Sequence, residues 1–376
     1  MQNIIIWGMG NYYRNRKAWI TNIYNIIAFI HSDPEFCGTV FQGKKVILPM
    51  QINEYKYDFI FIAVEKEEKY IKQLTDLNVP KYKIKKLNFS SDIIYNGKDS
   101  LKPDRKKLNL FYYNYPNIGD ILNAFMIDKL FEVKVIKSKI QSADMLAIGS
   151  ILDLLLKDNE NSIQLEKSNI INSNVHIWGT GFMYGYKNPA QKKLLRSVEI
   201  HALRGKLTKN ILSKILGYEI DCVLADPGLL ISLLYPGLEK KYEIGIIPHY
   251  VEKYEKIFCD MEKYYKNAVI IDVMDYPIEV LRKISQCKCI VSTSLHGLII
   301  ADSYGIPNQW CIYSDKILGN SFKYYDYYSA FDIEIKPYFL KENNFPDIDK
   351  VINNYSIKIE SVQKKQKELI NCFPKI

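Results

Sequence analysis

Residues 290–308 read Ile-Val-Ser-Thr-Ser-Leu-His-Gly-Leu-Ile-Ile-Ala-Asp-Ser-Tyr-Gly-Ile-Pro-Asn, and the order of residue types in this stretch decides the fold. A short apolar run, Cys289–Val291, has the character of a buried strand. It breaks into Ser292, Thr293 and Ser294, then His296-Gly297, and a second apolar run from Leu298 to Tyr304 has helical character. A strand that passes through a polar turn into a helix is the repeating unit of an open α/β sheet. Such sheets bind ligands at strand carboxyl ends, facing helix N-termini with free N–H groups. A histidine at that junction can move a proton near neutral pH. It can equally be a structural imidazole in a helix-capping turn, and spacing alone leaves both readings open.

The same alternation extends outward. Residues 239–335 contain strands at Ile244–Ile247, Ala268–Asp272 and Gln309–Tyr313, with a helix at Pro277–Gln286. Residues 108–238 give strands at Asn109–Tyr113, Met145–Gly149, Val175–Gly179, Val198–Leu203 and Cys222–Ala225, with helices at Ile121–Phe131 and Lys206–Leu216. Residues 1–88 form a smaller α/β unit with strands at Ile4–Trp7, Ile26–Ile30 and Asp58–Val64 and a helix at Lys66–Leu77. Proline and dense charge mark residues 89–107 as a linker. Residues 336–376 form a helical tail, whose apolar spacing over Ile348–Leu369 suits packing back across the domains. Strands alternating with helices imply an α/β fold with parallel sheets.

Composition narrows the function classes. The chain's 376 residues suffice for two or three domains. A net charge of +9 suits anionic small molecules or an anionic surface, and with no Arg-rich tract or RNA-binding motif, nucleic acid is not an expected partner. The seven cysteines are scattered and odd in number, which fits reduced cytosolic thiols rather than a disulfide framework or a zinc site. The N-terminus enters a strand at once, without a signal peptide, and no apolar stretch reaches the ~20 residues that span a bilayer. Any membrane contact is therefore peripheral.

Several polar features fall at strand ends: Asn117, Gly119 and Asp120; Gly179–Gly181; Arg204-Gly205; Asp226-Pro227; His249; and His296. Arg204 before a glycine and a helix can hold a phosphate or carboxylate bidentately, or it can be a surface cation at a helix start. Asp120 and Asp226 suit helix or turn caps as well as a site. His31, His176 and His201 show no partner pattern and are read as structural. In the first unit, Gly8-Met9-Gly10 is similar to a dinucleotide fingerprint, with Asp33 near the place of a ribose-binding acid. Tyr13, however, occupies the third glycine's position. A bound nucleotide and a degenerate docking module both remain open.

In chain order, Asn117-Ile-Gly-Asp120, Trp178-Gly-Thr-Gly181, Leu203-Arg204-Gly205, Ala225-Asp226-Pro227, Ile247-Pro248-His249-Tyr250, Ser294-Leu-His-Gly-Leu-Ile-Ile-Ala301 and Gly305-Ile-Pro307 resemble the polysaccharide pyruvyltransferase family. The resemblance covers about residues 108–335. It implies two Rossmann-like domains in a glycosyltransferase B-like arrangement, here with a small N-terminal Rossmann-like domain added. It also implies transfer of a pyruvyl group from phosphoenolpyruvate to a sugar of a bacterial surface polysaccharide or its undecaprenyl-diphosphate-linked precursor, commonly as a cyclic ketal. His296 takes the acid/base role and Arg204 that of a donor ligand. Ser294, Leu295, His249 and Gly181 surround the donor, with Asn117, Gly119, Asp120 and Asp226 on the substrate side. The expected protein is cytoplasmic, at most peripheral to the inner membrane face, and uses no cofactor or metal beyond phosphoenolpyruvate as co-substrate. One departure stands out: some members carry arginine where this chain has Ser294, so either another cation, such as Lys316 or Lys323, replaces it or the donor sits differently. A nucleotide-sugar-dependent glycosyltransferase and a non-catalytic glycan-pathway binding protein remain as rivals.

The chemistry of the co-substrate suits these residues. Phosphoenolpyruvate carries a carboxylate and a phosphate and so requires fixed cations and helix N-termini. Proton transfer to and from its reacting groups requires a side chain that titrates near neutrality, which unperturbed histidine does at ~6.5.

Overall fold

Strands and helices alternate as the sequence pattern requires, and among the described residues the strands assemble into three sheets in which parallel pairing dominates. The computed structural model describes residues 1–21, 23–64, 67–87, 105–113, 115–157 and 174–376. Most of the expected linker, 89–104, lies outside them. The chain divides into two compact units, one of Met1–Lys102 with Met274–Tyr276, the other of Pro103–Val273 with Pro277–Ile376. No helix among the described residues is long and apolar enough to cross a membrane.

In the first unit the sheet runs Val40–Phe41, Lys44–Ile47, Tyr24–Ile30, Gln2–Trp7, Phe59–Ile62, Ile84–Lys86, and only the first pair is antiparallel. Gly8 after the first strand has φ +117° and its added Cβ would lie 2.7 Å from the Ala63 carbonyl oxygen, so the turn requires glycine. Tyr13, in the place of a third glycine, is buried edge-on against Phe29 and Phe41 and donates its hydroxyl to Gln42 Oε1. Asp33 caps the turn Pro34–Phe36, accepting from the Glu35 N–H at 3.0 Å. Both residues are engaged in the module's own structure.

The second unit holds the other two sheets. One runs Val223–Leu224, Val198–Leu203, Val175–Trp178, Met145–Leu146, Lys107–Phe111, Lys134–Lys137. The other runs Ala268–Ile270, Tyr242–Ile247, Cys287–Ser292, Asn308–Ile312, Tyr338–Phe339, and every pair in both is parallel. In the second of these, the chain goes from Tyr242–Ile247 outward to Ala268–Ile270. It then jumps back across to Cys287–Ser292 and continues the other way. The reversal leaves a crevice at the carboxyl ends of Tyr242–Ile247 and Cys287–Ser292, where open parallel sheets receive ligands. Lys107–Phe111 and Met145–Leu146 flank the equivalent reversal in the other sheet.

Two helices begin earlier than their apolar runs suggest, and at the first of them an amide side chain explains the difference. Asn117 caps the helix Ile118–Phe131 by accepting the Gly119 N–H at 3.0 Å, so Gly119 and Asp120 stand in its first turn. The Ser292 hydroxyl accepts the Ser294 N–H at 2.9 Å, and the helix starts at Leu295 rather than Leu298. His296 thus lies inside the first turn. The segment 336–376 contributes the edge strand Tyr338–Phe339 and the helices Ile348–Asn354 and Ile359–Asn371. The last helix returns to the other sheet: Trp178 donates to the Leu369 carbonyl, and Gln366 Nε2 donates to that of Leu229.

Candidate active site

The loops that follow the two strand-order reversals meet at His296. A Cβ on Gly119 would fall 2.1 Å from His296 Nδ1 and 2.5 Å from Cγ and Cε1, so the first turn of Ile118–Phe131 lies directly against the imidazole. The Ile118 N–H donates to the Val273 carbonyl at 2.9 Å, which ties the same turn to the loop after Ala268–Ile270. His296 Nε2 is buried and has no hydrogen-bond partner among the described residues. Burial, reinforced by the cations Lys323 and Arg204, pushes His296 down to about 3, so the ring is neutral near pH 7. His249 sits alongside with its backbone N–H on Thr293 Oγ1 at 2.8 Å. Burial, then Lys323 and His296, pushes it down to about 3 as well.

The cation that organises this field is Lys323, in the helix Phe322–Ser329. It is 9% exposed, and among the described residues its ammonium has no hydrogen-bond or ion-pair partner. Burial and Arg204 push it down to about 8, against an upward pull from Asp120 and Glu252. Asp120, in the first turn of Ile118–Phe131, is raised by burial to about 7 despite the opposing pull of Lys323. A carboxyl that holds its proton near neutrality, a neutral imidazole and an unpaired buried ammonium form an acid, a base and an anion receptor in one place. The alternative cation, Lys316, is 53% exposed and pairs with Glu255. Glu252, buried nearby, accepts from Ser314 through one oxygen, while Oε2 has no partner among the described residues.

Arg204 is placed differently from a free ligand. It is 1% exposed, and its three nitrogens each donate to protein: Nε to Asp326 Oδ2 at 2.8 Å, Nη1 to Ser150 Oγ at 2.5 Å, Nη2 to the Phe182 carbonyl at 2.6 Å. Gly181 lies on the guanidinium, where a Cβ would meet Cζ at 2.5 Å. Asp326 is also held by the N–H and the hydroxyl of Thr208, each at 2.7 Å. Arg204 therefore anchors the helix that carries Lys323 and projects its charge toward His296. Tyr324 anchors the same helix from the other side, donating its hydroxyl to the Thr293 carbonyl at 2.6 Å.

The remaining sequence-derived residues frame this centre. Ser294 and Leu295 are buried at the start of the His296 helix. Asn117 is a cap. Asp226 caps Pro227–Leu230 through Oδ1 on the Gly228 N–H at 2.8 Å. Its buried Oδ2 is unpartnered among the described residues, and burial raises the carboxyl to about 6. Gly228 abuts the His296 helix, since its added Cβ would lie 2.9 Å from Ile299 Cγ2. Sequence reasoning missed Ser150, Glu252 and Asp326, none of which sits in a motif. It also singled out no aromatic pair, because the chain has 29 tyrosines. The geometry selects Tyr115 and Tyr250, whose ring centroids are 5.1 Å apart. Burial raises the Tyr250 hydroxyl, and Tyr115 and Asp120 add to the shift.

The sequence model of the family described as Polysaccharide pyruvyl transferase matches residues 50–315, and that described as "C2185-like, N-terminal" matches residues 1–85. An uncharacterised protein of Acanthamoeba polyphaga mimivirus is 30% identical over 273 residues, which are 66% of this chain and 88% of that protein. The succinoglycan biosynthesis protein ExoV of Rhizobium meliloti (strain 1021) is 26% identical over 226 residues, 59% of this chain and 63% of its own length.

Proposed function

The chain belongs to the polysaccharide pyruvyl transferase family, and from that premise we propose that it moves the pyruvyl group of phosphoenolpyruvate onto a sugar of a surface polysaccharide or its lipid-linked precursor, closing it into a ketal. A polysaccharide acceptor is in keeping with the likeness to a protein named for succinoglycan biosynthesis. The observation that carries the reading is the buried Lys323 ammonium, which has no hydrogen-bond or ion-pair partner among the described residues, on a helix that Tyr324 ties to Thr293, just before His296 in the chain.

The donor's phosphate and carboxylate take up Lys323 and the N–H groups opening Leu295–Ser303. Lys323 supplies the charge that some family members carry as arginine at the position of Ser294. Asp120 gives its proton to the methylene carbon; the π pair becomes the new C–H bond and leaves an oxocarbenium centre. A sugar hydroxyl attacks that carbon while His296 takes its proton. The donor's two negative groups raise the imidazole from its resting value as they bind. The carbon–oxygen bond to phosphate breaks, phosphate leaves with the bonding pair, and a second hydroxyl completes the ketal. One hydroxyl proton returns from His296 to Asp120 and the other departs with phosphate.

Tyr115 and Tyr250 offer ring faces to the sugar. We read the two sheets of the second unit as the lobes of a glycosyltransferase B-like arrangement. The reaction as written uses no cofactor, and a lipid-linked acceptor would bring the protein to the inner membrane face as a peripheral enzyme. The test is incubation with phosphoenolpyruvate and a panel of galactosides, mannosides and lipid-linked oligosaccharides, following phosphate release and product mass. A ketal on one acceptor is expected. Turnover of a sugar nucleotide with no response to phosphoenolpyruvate would overturn the reading.

A further inference from the structure

We infer that His176, Glu199 and His201 form a separate binding site for a divalent transition-metal ion of the zinc class. His176 lies on Val175–Trp178, and the other two lie on the neighbouring parallel strand Val198–Leu203. The register sets His176 opposite Glu199. Glu199 and His201, two apart on one strand, share a face. A register shift after Ile177 leaves His201 as the extra residue on its strand, next to the other two.

A hydrogen bond joins the two rings, and a carboxylate stands just outside that range from both. His176 Nδ1 and His201 Nε2 are 2.9 Å apart, and each lies 3.5 Å from a Glu199 oxygen. Glu199 thus sits at both nitrogens but beyond the 2.7–3.2 Å range of an N–H···O bond. Two ligands each about 2.0–2.1 Å from a tetrahedral zinc lie about 3.3 Å apart, so the nitrogen pair need open by only a few tenths of an ångström. His201 also lines an open groove of ≈ 850 Å³ with Asp221, Cys222, Glu368 and Cys372, which gives an ion a way in. The ion would clip two adjacent strands about 10 Å, three strand residues, before Arg204.

The test uses the full chain, stripped with a chelator and titrated with zinc alone by calorimetry and thermal melting. The expected result is one zinc per chain and a raised Tm. His176→Ala and His201→Ala should each bind at least about ten-fold more weakly, the lower bound set by losses of groups that merely support a ligand. Glu199→Gln, on a half-exposed carboxylate, should keep the metal-free Tm and lose the zinc-induced rise. Absence of zinc binding to the wild type, or equal binding by the His176→Ala/His201→Ala double variant, would overturn the inference. Neither readout depends on the proposed transfer activity.

Discussion

Gly119 and His296 interlock across the two sheets of the second unit: the Cβ that any other residue would carry at 119 falls 2.1 Å from His296 Nδ1. The backbone of one helix start is thereby the wall against which the imidazole of the other is set. Gly119→Ala should cut kcat about 100-fold, the usual cost of a ~1 Å misplacement at the reacting centre. Overpacking should cost about 1–3 kcal/mol of stability. Alanine favours the helix more than glycine does, so any loss is steric. Steady-state transfer rates check this, and an unchanged kcat would detach His296 from this wall.

Lys323 and Lys316 separate cleanly. Lys323→Met should raise the KM for phosphoenolpyruvate about 10–100-fold, the equivalent of one lost charged hydrogen bond, and Lys323→Arg should recover part of it. Lys316→Ala should leave the KM unaltered, because that ammonium is exposed and paired with Glu255.

Asp120 and Lys323 set the pH dependence. Asp120 donates only when protonated, so kcat/KM should fall as pH rises through about 7, and fall further past about 8 as Lys323 loses its charge. His296 and His249, at about 3, stay neutral in the free enzyme across this window. Asp120→Asn should lower kcat by about 10²–10⁴ and erase the limb near 7 while keeping the later one. A pH–rate profile of the two proteins decides it.

Arg204 is expected to act first on stability. Arg204→Met leaves Asp326 buried with Thr208 alone and should cost about 3–5 kcal/mol in denaturant unfolding. Wild-type stability with only a raised donor KM would instead make it a direct donor ligand.

Most strands were legible because apolar runs ending in glycine, serine or histidine carry a strand-to-turn pattern that owes nothing to distant partners. Val198–Leu203 and the helix Lys206–Leu216 have the bounds their sequence predicts. The starts of Ile118–Phe131 and Leu295–Ser303 were not legible, since each helix opens in a polar turn ahead of its apolar period, the first of them set by the Asn117 side chain. The helix Phe322–Ser329 escaped notice because Phe-Lys-Tyr-Tyr-Asp-Tyr-Tyr-Ser has no clear apolar stripe and its anchors lie at Arg204, Thr208 and Thr293. Arg204 was legible as important, but the sequence carries no sign of Asp326, which engages it. His176, Glu199 and His201 come together only through strand register, which spacing along the chain does not reveal.

If His296 drives pyruvyl transfer, replacing it must stop both products, which is read from phosphate release and ketal formation by the wild type and by His296→Ala, matched in fold by circular dichroism. The wild type should give phosphate and ketal in equal amounts and the variant neither. Wild-type rates from His296→Ala, or phosphate released without ketal by the wild type on every acceptor, would contradict it.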